Sequence, residues 1–205
     1  ASRGLGDVYK RQRIGRARAL NEAWRSSNAT YIAVLDADDL AEKNRLESQA
    51  RYLNRHDEVG VVGTACRVIY DDGRPEWILR NPETDKELRS ILVRQTPFVH
   101  SSVMMRRSAL ELVGGYNEDM KVLIDSELWG RIACRHQMRN LTEVLTVKRY
   151  SRHAFFHHRI SNWAKCKAKI RIRWFAWRKF SRRPLELRHV LLEPPARWLY
   201  QSLAG

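Results

Sequence analysis

Residues 31–40 read YIAVLDADDL, five mostly apolar residues running straight into the carboxylates Asp36, Asp38 and Asp39. A short apolar run bounded in this way suits a buried strand. A strand that ends in three acids must bring them to an edge of its sheet, where something positive can answer their mutual repulsion. The rest of the chain supplies the layers around such a strand. In GRARALNEAWRSS (15–27), Ala17, Leu20, Ala23 and Trp24 share one helical face, and 44–55 carry Leu46, Ala50 and Leu53 at helical spacings. VGVVGT and CRVIYDDGRPEWIL read as strands, the second a hairpin around Asp72 and Gly73. Helix patterns return at 85–93, 108–113 and 125–135, with strand patterns at SVMM and LTEVLTV. This alternation predicts an α/β layered fold with a mostly parallel sheet flanked by helices and with ligands beyond the carboxyl ends of the strands.

At 205 residues, 43% apolar and 30% charged, the chain has the make-up of a folded domain with a sizeable core. No run approaches the roughly 18 apolar residues of a spanning helix, and no apolar signal core stands near Ala1. Cys66, Cys134 and Cys166 lie far apart without metal-ligand spacing, which suits free thiols in a reducing compartment. The net charge of +15 is concentrated: 159–183 hold ten Lys or Arg and no acid, leaving +5 for the remainder. A nearly neutral body therefore carries a local basic segment, a docking surface for something anionic.

Carboxylates two residues apart at a strand end can converge on a hard divalent cation, which prefers oxygen ligands and bridges to phosphates. The competing reading is that Asp38 or Asp39 caps the helix that begins near Glu42. Farther along, Asp125 precedes apolar residues at helical spacing and is itself placed to cap a helix while facing a cleft.

Five ordered motifs carry a resemblance. They are GRARALNEA followed by YIAVLDADD, then RLESQARYLNRHDEVGVVGT, HSSVMMRRSALELVGGYNED, IDSELWGRIA and VKRYSRH. From about Gly15 to His153 the chain resembles the family 2 glycosyltransferases, inverting, nucleotide-sugar-dependent enzymes of the GT-A type α/β fold. The resemblance implies that Asp36 contacts the donor, that Asp38 ligates manganese or magnesium with Asp39 supporting it, and that His153 is a late ligand to metal or diphosphate. It implies Asp125 as the catalytic base that takes the acceptor hydroxyl's proton, with Glu127 and Asp119 as further candidates and His100 lining the donor-sugar pocket. Where the family usually has Glu before this aspartate, the chain has Ile124. The family's first strands, with their Pro-x-aromatic-Asn turn and base-holding aspartates, have no counterpart here. The expected fold is therefore incomplete at the N-terminus, an N-terminally truncated fragment that is inactive as it stands.

The expected organisation is a non-native leader at 1–12, a partial glycosyltransferase domain at 13–158 and a basic amphipathic helix with its tail at 159–205. The implied activity is hexosyl transfer from a nucleotide sugar, a UDP-sugar, to a carbohydrate or lipid-linked glycan acceptor of an envelope polysaccharide or exopolysaccharide. In the last segment Ile160, Trp163, Cys166, Ile170, Trp174 and Trp177 fall on one stripe, with Lys165, Lys169 and Lys179 opposite. Such a helix suits an anionic membrane surface, here the cytoplasmic face of the plasma membrane. The alternative function is a noncatalytic basic module that binds membrane or nucleic acid.

Overall fold

The computed structural model describes residues 15–150 and 162–192; the expected leader, His153, Ile160 and the end of the tail lie outside the described residues. Helix α1 (Arg16–Arg25) is followed by strands β1 (Tyr31–Ala33) and β2 (Leu40–Ala41), which bracket the acidic turn. Helix α2 (Arg45–Arg55) leads into the long strand β3 (Val59–Tyr70), which returns after Asp72 and Gly73 as β4 (Trp77–Leu79). Then come α3 (Asp85–Ile91), a 3-10 turn (His100–Ser102), β5 (Met104–Arg106), α4 (Arg107–Val113), α5 (Ile124–Ile132) and β6 (Gln137–Tyr150). Helices α6 (Asn162–Ala176) and α7 (Leu187–Leu191) pack onto this body.

Strand β3 is the axis. On one side it pairs with β6 along its whole length, and on the other it pairs first with β5 and then with β4. The full order is β1-β5-β3-β6-β2. Among the described strands only β3 and β6 run parallel, so the α/β sheet is mixed where the alternation of patterns suggested a mostly parallel one. The pattern locates strands but not the sense in which they meet. A tight turn can only make β4 an antiparallel neighbour of β3, and the other pairings join segments far apart in the chain.

Period-2 alternation distributes the core over both faces of the sheet. Val62 and Met104 meet Leu53 of α2 on one face, while Val61 and Met105 meet Leu110, Leu128, Trp129 and Ile132 on the other. A continuous apolar run such as VGVVGTAC is what a strand covered on both sides requires.

The covered face under α2 also holds a buried polar lattice. Arg45, 1% exposed, donates from Nη2 to the carbonyls of Val34 (2.8 Å) and Val103 (3.0 Å), and its Nε donates to Gln49 Oε1 (3.0 Å). Gln49 passes the linkage on, donating to Val62 O and Ser102 O. These bonds fasten the segment after β1 where the sheet ladder has stopped. Arg45→Met keeps the aliphatic volume but takes one donor from each of these carbonyls, leaving Val103 O only the Val34 N–H, and it should cost about 3 kcal/mol in urea-induced unfolding. A change under about 0.5 kcal/mol, the range of ordinary surface substitutions, would contradict this role.

Helix α6 corrects the expected stripe. Its packed face is formed by Cys166, Ile172, Arg173 and Ala176, while Trp163 and Trp174 are exposed and Ile170 and Trp177 are half-buried. Two contacts turn the helix this way. The Phe175 ring lies against Gly130 of α5, where a Cβ would come within 3.2 Å of it, and the buried Arg173 donates to His189 O at 2.7 Å and to Arg94 O. Burying an arginine that satisfies two carbonyls outweighs burying one more tryptophan, because orphaned carbonyls are costly. Among the described residues no helix is long and apolar enough to cross a membrane.

Candidate functional site

After Ala33 the chain leaves the ladder but stays extended. The Val34 N–H donates to Val103 O (3.0 Å) and the Asp36 N–H to Ser101 Oγ (3.2 Å), and a turn closes where the Asp39 N–H donates to Asp36 O (3.0 Å). The carboxylates of Asp36, Asp38 and Asp39 then converge, with one oxygen of each within 4.8 Å of the others. Helix α2 starts at Arg45 with Asn44 at its N-cap, so neither Asp38 nor Asp39 caps it.

The three acids have different surroundings. Asp39 is buried: Oδ2 accepts from Lys148 Nζ and Oδ1 from the Arg149 N–H, both at 2.9 Å. It latches the acidic turn to β6. Asp36 accepts from Arg16 Nη2 at 2.7 Å and lies 3.7 Å from Lys148 Nζ. Asp38 is exposed and, among the described residues, has no hydrogen-bond or ion-pair partner. The positive charge that the acidic cluster demands is thus partly built in, on Arg16 and Lys148, and Asp38 is left over.

A polar chain leads inward from Asp36. Arg16 Nη2 lies 3.0 Å from His100 Nδ1, and His100 Nε2 lies 2.9 Å from the Tyr116 hydroxyl. The imidazole of His100, against the opposing effect of burial and with help from Arg16 and Lys148, holds the Asp36 carboxyl well below the usual carboxylate range. By distance Arg16 is its nearest charge, at 2.7 Å against 3.8 Å for the imidazole. Burial, then the negative charge of Asp125, pushes the Tyr116 hydroxyl up, so Tyr116 stays a neutral link in the chain. At Lys148 burial works against the charge, but the hydrogen bond it donates to Asp39 and the nearby carboxylates raise its pKa overall.

The turn that presents Tyr116 needs its glycines. Gly115 has φ +76°, and a Cβ there would meet Asn21 Oδ1 at 2.5 Å. That oxygen accepts from the Tyr116 N–H, and Asn21 Nδ2 donates to Tyr116 O, both at 2.8 Å. Helix α1 therefore positions Tyr116 by threading one amide side chain through the Gly114-Gly115 bend.

Asp125 stands in the first turn of α5, behind Leu123, whose φ of 54° is left-handed. Among the described residues its carboxylate has no hydrogen-bond or ion-pair partner, and it lines the same cleft as Asp36 and Asp38. Glu127 is engaged differently: Arg131 holds both of its oxygens, at 2.9 and 2.7 Å, and also donates to Val113 O and Gly115 O. It braces α5 against the glycine turn. Asp119 is exposed in the Asn117 turn and does not line the cleft.

The cleft encloses about 700 Å³. Its lining joins Arg16, Asp36, Asp38 and Lys148, which lie against one another, with His100 and Phe98 and with Lys121 and Asp125. A smaller hollow of about 360 Å³, lined by Arg51, Tyr52, His56 and Glu143, brings together no comparable set of groups. Of the expected residues, the structure thus gathers Asp36, Asp38, His100 and Asp125 in one cleft, puts Asp39 beneath it and leaves Glu127 in the helix scaffold. Arg16, Lys148 and Tyr116 were not singled out by sequence. Arg16 follows Gly15 and Lys148 stands inside VKRYSRH, but the pairing of Lys148 with Asp39 spans 109 residues and leaves no local pattern.

A sequence model of the family described as "Glycosyl transferase family 2" matches residues 5–114. The amylovoran biosynthesis glycosyltransferase AmsE of Erwinia amylovora is 29% identical over 133 residues, covering 64% of this chain and 49% of that protein. The chain spans about half the length of the curated relatives it matches. Among solved structures, Staphylococcus aureus TarS in complex with UDP-GlcNAc superposes with a TM-score of 0.63 at 14% identity, over 90% of this chain and 52% of that one. The mannosyltransferase PcManGT of Pyrobaculum calidifontis, in complex with GDP-Man and Mn²⁺, superposes with a TM-score of 0.56 at 19% identity, over 95% of this chain and 54% of that one. At these identities the two structures speak for the fold, which is GT-A-like.

Proposed function

Since the chain belongs to glycosyl transferase family 2, we propose that it serves transfer of a hexosyl unit, with inversion, from a UDP-sugar to a glycan acceptor of an envelope polysaccharide or exopolysaccharide. The observation that carries this reading is that one cleft is lined by Asp36, Asp38 and Asp125, and that among the described residues the carboxylates of Asp38 and Asp125 have no hydrogen-bond or ion-pair partner. The nucleotide sugars bound by the neighbouring structures and the polysaccharide named for AmsE support the substrate classes.

A hard divalent cation fits the acidic turn, because three carboxylates converge there and, among the described residues, Asp38 has no hydrogen-bond or ion-pair partner. Asp38, with Asp36 beside it and His153 as the expected further ligand, would hold manganese or magnesium, which when bound supplies Lewis-acid stabilisation of a leaving diphosphate. Arg16 and Lys148 line the same cleft and can offset further phosphate charge. His100, fixed by Arg16 and Tyr116, lines the donor-sugar pocket. Asp125 accepts the proton of the acceptor hydroxyl as its oxygen bonds to the anomeric carbon and the bond from that carbon to the diphosphate oxygen breaks. Titration with UDP and Mn²⁺ tests the reading: nucleotide binding should require the metal and should weaken when Asp38 is replaced.

We place the protein at the cytoplasmic face of the plasma membrane, held there by α6. Trp163 and Trp174 are 63% and 41% exposed beside a surface rich in Lys and Arg, the combination that suits an anionic interface. The chain should co-sediment with phosphatidylglycerol vesicles, less so as salt rises, and replacing Trp163 and Trp174 by Ala should reduce the bound fraction severalfold. Sedimentation of that variant at the wild-type level would contradict the placement.

A further inference from the structure

The cleft continues past Lys148 onto a face that the proposed reaction leaves without a role. In the regular stretch of the sheet, Val68 of β3 stands opposite Lys148 of β6 and Trp77 of β4, Cys66 stands opposite Thr146 and Leu79, and Tyr70 stands opposite Tyr150. Directly opposed residues share a sheet face, as do residues two apart on one strand. Trp77, Tyr70 and Tyr150 therefore lie on the same face as Lys148, whose ammonium group meets Asp36 and Asp39, and as Leu79, which lines the cleft. Tyr150 is two residues beyond Lys148 on β6, about 7 Å along the strand, and Trp77 is two strands across, about 10 Å away.

These rings are ordered into a platform. Tyr70 and Tyr150 stack with centroids 5.7 Å apart and planes inclined by 23°. Trp77 Nε1 donates to the Tyr70 hydroxyl at 3.0 Å, and the Arg74 guanidinium lies over the Tyr70 ring at 3.8 Å. Trp77 and Tyr150 nonetheless remain 46% and 42% exposed. Asn81, Gln95 and Thr96 line the adjoining part of the cleft with amides and a hydroxyl. Flat aromatic surface next to neutral hydrogen-bonding groups matches a pyranose, which has C–H groups on its faces and hydroxyls around its rim. It matches a phosphate or a lipid tail poorly, since the cations beside it, Lys148 and Arg74, are already paired with Asp36, Asp39 and Asp72, and a lipid tail wants no amides.

The geometry points to this platform as the acceptor subsite: Tyr150 and Trp77 stack the saccharide units of the incoming glycan while Asn81, Gln95 and Thr96 take its hydroxyls. This rests on the glycosyltransferase reading and adds to it that the acceptor is recognised through its sugars, by surface continuous with the donor cleft. Acceptors whose rings carry equatorial substituents, and so present C–H groups on both faces, fit best.

The test uses the protein as its full reading frame encodes it, with cellotriose and chitotriose as probes. Saturation-transfer NMR should show magnetisation passing from aromatic protons to ring C–H protons of at least one trisaccharide. Trp77→Ala combined with Tyr150→Ala should weaken that binding about tenfold or more. Trp77→Phe with Tyr150→Phe, which keep rings in place, should restore most of it, and since both residues are exposed neither change opens the core. Absence of transfer to both trisaccharides in the wild-type chain would overturn the proposal. So would equal binding by the alanine pair, or an alanine pair that lowers vesicle binding while leaving saccharide signals unchanged. UDP and Mn²⁺ titrated into the same samples separate the two readings. Nucleotide binding without saccharide contact contradicts the platform alone, and saccharide contact without nucleotide binding contradicts the transferase reading alone.

Discussion

Asp125→Asn is expected to lower kcat by about 10²–10⁴-fold, the usual loss when a general base is removed, while leaving donor affinity within about twofold. Asn is nearly isosteric, and no hydrogen bond or ion pair of the Asp125 carboxylate is lost among the described residues, so the fold has little reason to respond. The change removes only the ability to take a proton. It should therefore appear in kcat and kcat/KM for the acceptor reaction of the protein as its full reading frame encodes it. Glu127→Gln is the counterpart. Both Glu127 oxygens are held by Arg131, so its loss should appear first as a lower melting temperature and only modestly in turnover. If Glu127→Gln abolished turnover in a stable protein and Asp125→Asn did not, the base would be misassigned and the Ile124 departure would mark a shifted site.

Much of this site was legible before any coordinates. YIAVLDADDL announces a strand that ends in acids, and the turn indeed gathers Asp36, Asp38 and Asp39. The place of Asp125 in the first turn of a helix was legible because a carboxylate at a helix start has a local pattern. The distinct surroundings of the three acids were not. Asp39 is a buried latch and Asp36 is paired because Lys148 and Arg16 arrive from distant segments, and no spacing within the acidic run reports them. The mixed sense of the sheet was hidden for the same reason. On α6 the periodicity was read correctly as helical but the packed face was misjudged, since a hydropathy stripe cannot foresee that a buried Arg173 would cap carbonyls of two other segments. The family resemblance supplied the roles proposed for the acids, whereas Arg16, Tyr116 and the platform at Trp77 and Tyr150 needed the fold.

The central claim is that Asp38 is the acid reserved for a cation beneath a donor diphosphate. Its neighbours satisfy one another: Asp39 is bonded to Lys148 and to the Arg149 backbone, Asp36 to Arg16. Asp38→Asn therefore removes a hard ligand from an exposed position without opening the core. Loss of supporting residues around metal sites already costs about 10–100-fold in affinity, so loss of the ligand itself should cost about a hundredfold or more. Asp39→Asn is the contrast, for it should destabilise the fold by breaking the latch to β6. The decisive measurement is a calorimetric titration of UDP into the protein as its full reading frame encodes it, wild-type and Asp38→Asn, each with saturating Mn²⁺ and again with chelator. The account predicts Mn²⁺-dependent binding in the wild type, lost in Asp38→Asn at an unchanged melting temperature. Metal-dependent binding of equal strength in both proteins would contradict it.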